Sequence, residues 1–260
     1  MKPLEVVRSV ARRIKWEQFS YWRNPAAAGF TFAFPLMFLF IFTTINGNDR
    51  VHAGGTTVRF AQFFVPGIVG FGLISACYTN LAITLVFRRQ SGILKRTRGT
   101  PVSPTVYLAG LVGSSVLIAL ILSGVTIGFG IVVYGVTFPG RYIGLVVALA
   151  AGAFCFSALG VAVAGLVPNE DAAPAVINFL IFPVLFLSGT FGNVPDGSGA
   201  ARFSDLLPVR HLNKLMFAVF NPAGHGTGII ASHLLAITAW GAISLLIGVR
   251  RFRWEPRIGR

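Results

Sequence analysis

Six stretches of the chain contain no Asp, Glu, Lys or Arg: residues 26–45, 63–87, 106–134, 143–167, 172–191 and 228–249. About 20 apolar residues at a rise of ~1.5 Å each cross the hydrocarbon of a bilayer, so each stretch predicts a membrane-spanning helix. The third is long enough to tilt or to extend past the bilayer. Pro35, Pro66, Pro174 and Pro183 lie within or at the ends of these stretches, where neighbouring helices can satisfy the carbonyls that a proline frees. Gly124, Gly128 and Gly130 in the third stretch, and Gly152, Ala158, Gly160 and Ala164 in the fourth, are small residues that permit close helix contact.

The remaining segments have their own patterns. Residues 4–22 predict an amphipathic helix, with Leu4, Val7, Val10, Ala11, Ile14 and Tyr21 on one side and Arg8, Arg12, Arg13 and Lys15 on the other. Asn24 and Pro25 break it before the first span. With Trp16 and Trp22 near that junction, the helix belongs in the membrane interface. Between the fifth and sixth spans, "GNVPDGSGA" is a polar loop. A helix-like stretch interrupted by Pro208 follows, with Leu206, Leu207, Leu212, Leu215, Met216 and Phe217 as its apolar positions. It suits short outer helices capping a pathway, or an inert surface loop. The expected fold is an all-α integral membrane protein with six transmembrane helices, an N-terminal amphipathic interfacial helix and short extracellular helices between spans five and six. One domain covers residues 1–260: 1–25 the amphipathic segment, 26–249 the spans, 250–260 a basic tail.

Charge then sets orientation. Only 12% of the 260 residues are charged, about half the usual share of a soluble domain. The 22 cations against 8 anions would suit nucleic acid if taken alone. Their distribution argues for topology instead. Six lie before the first span, five between the second and third and five after the sixth, against six on the other side. Lys and Arg collect in cytoplasmic loops, so both termini are expected in the cytoplasm and the protein in the plasma membrane. By parity the turn "PNEDAAP", residues 168–174, shares that side. Cys77 and Cys155 lie far apart inside apolar runs with no CxxC spacing and suit packed helices. The first apolar run, late and uncut by a small-residue cleavage site, is expected to be a span and not a signal peptide.

No catalytic constellation is present in this pattern: no P-loop motif, no H-E-x-x-H and no G-x-S-x-G. The expectation is no catalytic residue, and no cofactor or metal in this chain. His233 is the one candidate for a proton or ion relay within a span, and there a packing role outweighs a relay. Thr43, Asn80, Thr84, Asn178 and Ser188 suit helix-to-helix hydrogen bonds, a few of them lining a route. This describes a conduit without a motor: a channel, a scaffold, or a transporter driven by a partner. "FRRQSGILKRTRGTPVSP", residues 87–104, carries five cations and no carboxylate. It reads as a short helix from Arg88, a break at 99–101, then Ser103 as N-cap and Pro104 at the first helical position of the third span. A helix clamped between two spans transmits motion to both; a loop that merely fixes topology is the alternative.

Three stretches resemble the ABC-2-type transporter permeases: "FRRQSGILKRTRGTPVS", "VPNEDAAPAVINFLIFPVLFLSGTF" and "LPVRHLNKLMF", in that family's order across the whole chain. Daunorubicin-resistance-type drug exporters are most similar, and carbohydrate and lipooligosaccharide exporters are near neighbours. The resemblance implies a half-transporter: two permeases, this chain twice or with a sister, and two ATPase subunits that hold ATP and Mg. It implies that Arg88, Arg89, Gln90, Gly92, Leu94, Lys95, Arg96, Arg98, Thr100, Pro101 and Ser103 form an ATPase-coupling helix. Asn169, Glu170 and Asp171 form a second cytoplasmic turn, the N-terminal helix lies along the membrane surface, and Asn80, Asn178, Ser188, Phe191, Leu207 and Pro208 are candidates for the pathway or its gate. One departure stands out: where the family commonly has Glu, this chain has Gln90 and Lys95, which predicts an ATPase groove richer in acid.

Overall fold

The computed structural model describes residues 3–46, 49–53, 56–99, 103–138, 140–192, 199–224 and 226–251. Its helices begin and end near the points where polar and apolar runs change. Helix α1 (Pro3–Trp22) stops before Asn24, whose side-chain oxygen accepts from the Ala27 amide at 3.2 Å and so caps α2 (Pro25–Asn46). Strands β1 (Arg50–Ala53) and β2 (Thr56–Arg59) pair antiparallel, Arg50 opposite Arg59. This hairpin was not expected, although a Gly-Gly pair between two β-prone runs is its usual signal.

Helix α3 (Phe60–Ile74), a π-helical turn (Ser75–Asn80) and α4 (Leu81–Gln90) form one rod. Phe64, Val65, Ile68, Val69, Leu85 and Val86 are fully buried on it. A helix apolar all round belongs in a core, and this rod is the centre of the bundle. Around it run α6 (Pro104–Tyr134), α7 (Tyr142–Ala164), α8 (Ala173–Leu187), α10 (Pro208–Phe220) and α11 (Ala231–Arg251), with short α5 (Ile93–Arg98) and α9 (Gly199–Ser204) between. The fold is an all-α membrane architecture. Among the described residues, α2, the central rod, α6, α7 and α11 are long and apolar enough to cross a bilayer.

The expected fifth span, 172–191, is shorter. α8 has 15 residues, about 22 Å at ~1.5 Å each. Gly189 adopts φ 77°, the Thr190 amide reaches back to the Leu185 carbonyl at 3.3 Å and the Gly189 amide to Phe186 at 3.4 Å. That Schellman geometry ends the helix and folds Phe191 back inside. Helix α1 also departs from the simple two-sided wheel. Leu4 and Val7 are exposed, whereas Arg13, Ile14, Glu17, Gln18 and Tyr21 turn inward, so Arg13 belongs to the packing face and not to the basic one.

The small residues sort by environment. A Cβ at Gly160 would lie 3.1 Å from the carbonyls of both Cys77 and Tyr78 in the π-helical turn, and one at Gly130 would lie 2.8 Å from Val65. At Gly124 and Gly128 it would meet nothing within 4 Å. Gly160→Val is therefore expected to cost about 1–3 kcal/mol by overpacking, seen as a lower melting temperature in detergent, while Gly124→Val leaves it nearly unchanged.

Candidate functional site

The basic segment after the central rod is built around Gly92. At φ 71° it takes a left-handed conformation that favours glycine, and it separates α4 from α5. The short helix therefore starts at Ile93, not at Arg88, and Arg88, Arg89 and Gln90 are the last turn of the rod. On α5 Leu94 is fully buried as an anchor, while Ile93, Lys95 and Arg96 face outward. Only the backbone of Arg98 is described, and Thr100 and Pro101 lie outside the described residues. Ser103 caps α6 as expected, accepting from the Val106 amide at 3.3 Å, with Pro104 next.

The three residues ending the rod reach into three neighbours. Arg88 holds both oxygens of Glu17 on α1, at 2.8 and 2.6 Å, and the Tyr107 hydroxyl on α6 at 3.0 Å. Arg13 bonds the same Glu17 at 2.6 Å, and its guanidinium lies 4.5 Å from the Tyr107 ring centre. Glu17 is only 7% exposed, so one buried carboxylate joins two cations and an aromatic face. Close packing makes this possible: a Cβ on Gly113 of α6 would lie 2.5 Å from Ile14. Next to it Gln18 donates to the Ser114 carbonyl and hydroxyl at 2.8 and 2.9 Å.

Arg89, fully buried, donates to the carbonyls of Ala164 at 2.9 Å and Val167 at 2.5 Å. These close the C-terminal end of α7, where a helix leaves acceptors open and carries negative partial charge. Gln90 donates to the Pro168 carbonyl at 2.8 Å. The basic segment is thereby tied to the turn holding Asn169, Glu170 and Asp171. Asn169 and Asp171 are exposed there, and the Asn169 side-chain oxygen accepts from the Ala172 amide at 2.9 Å. Gln90 and Lys95 thus differ: Gln90 is bonded within the protein, and Lys95 is exposed.

A second assembly lies farther along the rod. Asn80 on the π-helical turn and Asn178 on α8 line one groove of about 410 Å³, with Phe30, Phe34, Phe71 and Phe182 among its walls. π-Helical turns recur at functional positions. Here the Tyr78 hydroxyl also reaches the Ile177 carbonyl at 3.3 Å, tying the rod to α8. Phe191 does not line the groove but packs against its Phe71 wall, its ring 5.4 Å from Phe71, 5.3 Å from Phe38 and 4.9 Å from Phe186. Ser188 is buried, and its carbonyl accepts from Asn213 at 3.1 Å. Leu207 and Pro208 instead form the start of α10.

At the end of the bundle opposite Arg88, polar groups fix the connections. Arg141 donates to the carbonyls of Ala218 at 2.6 Å, Asn221 at 2.9 Å and Gly224. Asp205 accepts from Arg210 at 2.6 Å and Lys214 at 3.1 Å. Burial alone would raise this carboxyl, but the two cations hold it below the usual carboxylate range. His233 meets His211 of α10, the two Nδ1 atoms 2.9 Å apart, so it serves as a contact between helices. Burial pushes His211 below the ordinary histidine range.

Sequence reasoning missed Glu17, Gln18 and Tyr107. The signal for Glu17 was its spacing four residues after Arg13 on one helix. No curated protein matches the chain. The model of the ABC-2 type transporter matches residues 9–221, a range that takes in the cluster around Arg88, the turn after α7 and the Phe-lined groove. The chain thus belongs to the ABC-2 type transporter family, as a multi-pass membrane permease component of an ABC-type transporter.

Proposed function

We infer that this permease serves an exporter, carrying an amphipathic drug-like, lipid or glycolipid cargo outward. Two copies of the chain, or this chain and a sister, form the passage, and two separate ATPase subunits supply the work. The basic end of the bundle faces the cytoplasm, which agrees with the excess of Lys and Arg in the segments gathered there.

The observation that carries this reading is the linkage of α5. Its outer face presents Ile93, Lys95 and Arg96, while the rod just before it is bonded to α1, α6 and the end of α7. A partner pressing on α5 moves four elements together. The groove between α2, the π-helical turn and α8 is the natural route for cargo, with Asn80 and Asn178 for polar groups and phenylalanines for apolar ones.

Lys95→Glu is expected to weaken capture of the P-loop ATPase from a neighbouring reading frame about 10-fold, or ~1.4 kcal/mol, with no change in melting temperature. Equal co-purification and equal stimulation of hydrolysis would overturn the acidic-groove partner. Cargo movement by the reconstituted chain without ATP would instead favour a channel.

A further inference from the structure

Two histidines meet where α10 and α11 begin. His211 lies near the start of α10 and His233 near the start of α11, and both are partly exposed. Their Nδ1 atoms are 2.9 Å apart, with ring centres separated by 5.1 Å and planes inclined by 40°. A neutral imidazole carries one N–H and one open lone pair, and a contact this short needs a proton on one Nδ1 and a lone pair on the other. With no added proton, opposite tautomers supply both. With one added proton, an imidazolium donates to a neutral ring. With two, both Nδ1 atoms carry hydrogen, no acceptor is left and two cations face each other. The first proton is tolerated and the second breaks the contact.

The surroundings resist that second proton. A helix N-terminus carries positive partial charge, and each ring sits close to one. Arg210 and Lys214 add two cations against the single carboxylate of Asp205, which both already engage. Helices α3, α7 and α8 pack against α10 or α11 and contain no charged residue. Of the titratable groups on α7, Tyr142 packs on Phe138, and Cys155 lies beside Gly241 farther along α11. Burial outweighs the Asp205 backbone bond and carboxylate, which favour a proton on His211. The open pair therefore binds more protons than the closed one, so the contact is intact above the ordinary histidine range, about 6.5, and weakens as pH falls below it. Asp205, held below the usual carboxylate range, stays ionised throughout. We propose that His211 and His233 are an acid-released latch between α10 and α11, closed with up to one added proton and open with two. Asn213 of α10 donates to the Ser188 carbonyl at 3.1 Å and the Thr190 hydroxyl at 2.9 Å, so release at the pair also reaches the turn that ends α8. With the Arg88 end in the cytoplasm, the latch senses acid on the outer face. It goes beyond the exporter reading and is independent of the cargo.

The test needs no ATPase. The full chain is placed in phosphatidylcholine nanodiscs with EDTA, which keeps metal ions from bridging the rings. Amide hydrogen exchange, corrected for its intrinsic pH dependence, is followed from about pH 7.5 to about pH 5, either side of the histidine range. In the wild type, protection of the first turns of α10 and α11 should fall about tenfold per pH unit below ~6.5, one proton being bound per opening. His211→Asn and His233→Asn each place an amide near the lost Nδ1, able to donate or accept, and leave one titratable ring. Both variants should hold the contact and show level protection, and either suffices if the other does not fold. His52 and His225 remain in both, so a difference from the wild type is not theirs. Wild-type protection that stays level down to the acid end would overturn the latch, and so would an equal loss in the wild type and a folded variant. Neither result touches the Lys95 experiment, so the permease reading stands or falls separately.

Discussion

Glu17→Leu is expected to destabilise the protein by about 3–5 kcal/mol, the range for removing one partner of a buried ion pair. The carboxylate is buried, and both its oxygens are occupied, by Arg88 in a two-bond fork and by Arg13. Without it two guanidiniums face each other across Tyr107 with no counter-charge. Arg13 is about one-third exposed and can swing to water; Arg88 is 20% exposed and held at the end of the central rod. Most of the cost therefore falls on Arg88. Replacing the pair together, Glu17→Leu with Arg88→Met, removes the stranded charge and should recover much of the loss, since apolar replacement of a whole buried pair is often neutral. Thermal unfolding of the wild type, Glu17→Leu, Arg88→Met and the double variant in one detergent gives the coupling energy directly. A single Glu17→Leu variant that melts with the wild type would mean that the pair is not buried as described.

This acid also answers a question posed by charge counting. The segment 87–104 contains five cations and no carboxylate, which reads as a deficit to be met by a partner. The deficit is smaller than it looks, because Glu17 on α1 neutralises Arg88 from 71 positions away. Arg89 is satisfied by carbonyls and Gln90 by another. What stays exposed is the outer face of α5, with Ile93, Lys95 and Arg96.

Apolar runs are visible in sequence because a bilayer demands about 20 consecutive apolar residues, so α2, α6, α7 and α11 could be located to within a few residues. Caps such as Ser103–Pro104 are equally local. The end of α8 was misplaced although Ser188, Gly189 and Thr190 interrupt the apolar run there; a glycine just past the last apolar turn is a stop signal, and Phe191 carried the apolar count beyond it. The faces of α1 were misdivided for a different reason. A wheel sorts residues by polarity, and Arg13, Glu17 and Gln18 pack inward because α6 offers them Tyr107, Ser114 and close approach at Gly113. The site residues follow the same rule. Asn80 and Asn178 were legible as polar atoms at membrane depth. Their meeting in one groove depends on the π-helical turn, which no local pattern announces.

Arg89→Met is expected to cost about 3–5 kcal/mol, from two charge-assisted hydrogen bonds of roughly 1.5–3 kcal/mol each that do not add fully. The carbonyls of Ala164 and Val167 at the end of α7 would lose the donor that covers them, in a place Arg89 itself closes to water. Arg89→Lys separates stability from transmission. It keeps the positive charge near the helix terminus, worth about 0.3–1 kcal/mol, but one ammonium cannot reproduce a fork holding two carbonyls. The lysine variant should therefore lose less stability than Arg89→Met while loosening the link from the rod to α7. With the ATPase present, hydrolysis should continue at its basal rate and lose its stimulation by cargo. That pattern is the reverse of Lys95→Glu, where assembly weakens at an unchanged melting temperature. If Arg89→Lys assembles, melts and responds to cargo like the wild type, the path of force from α5 runs through α1 and α6 alone, and Glu17 becomes the residue on which transmission depends.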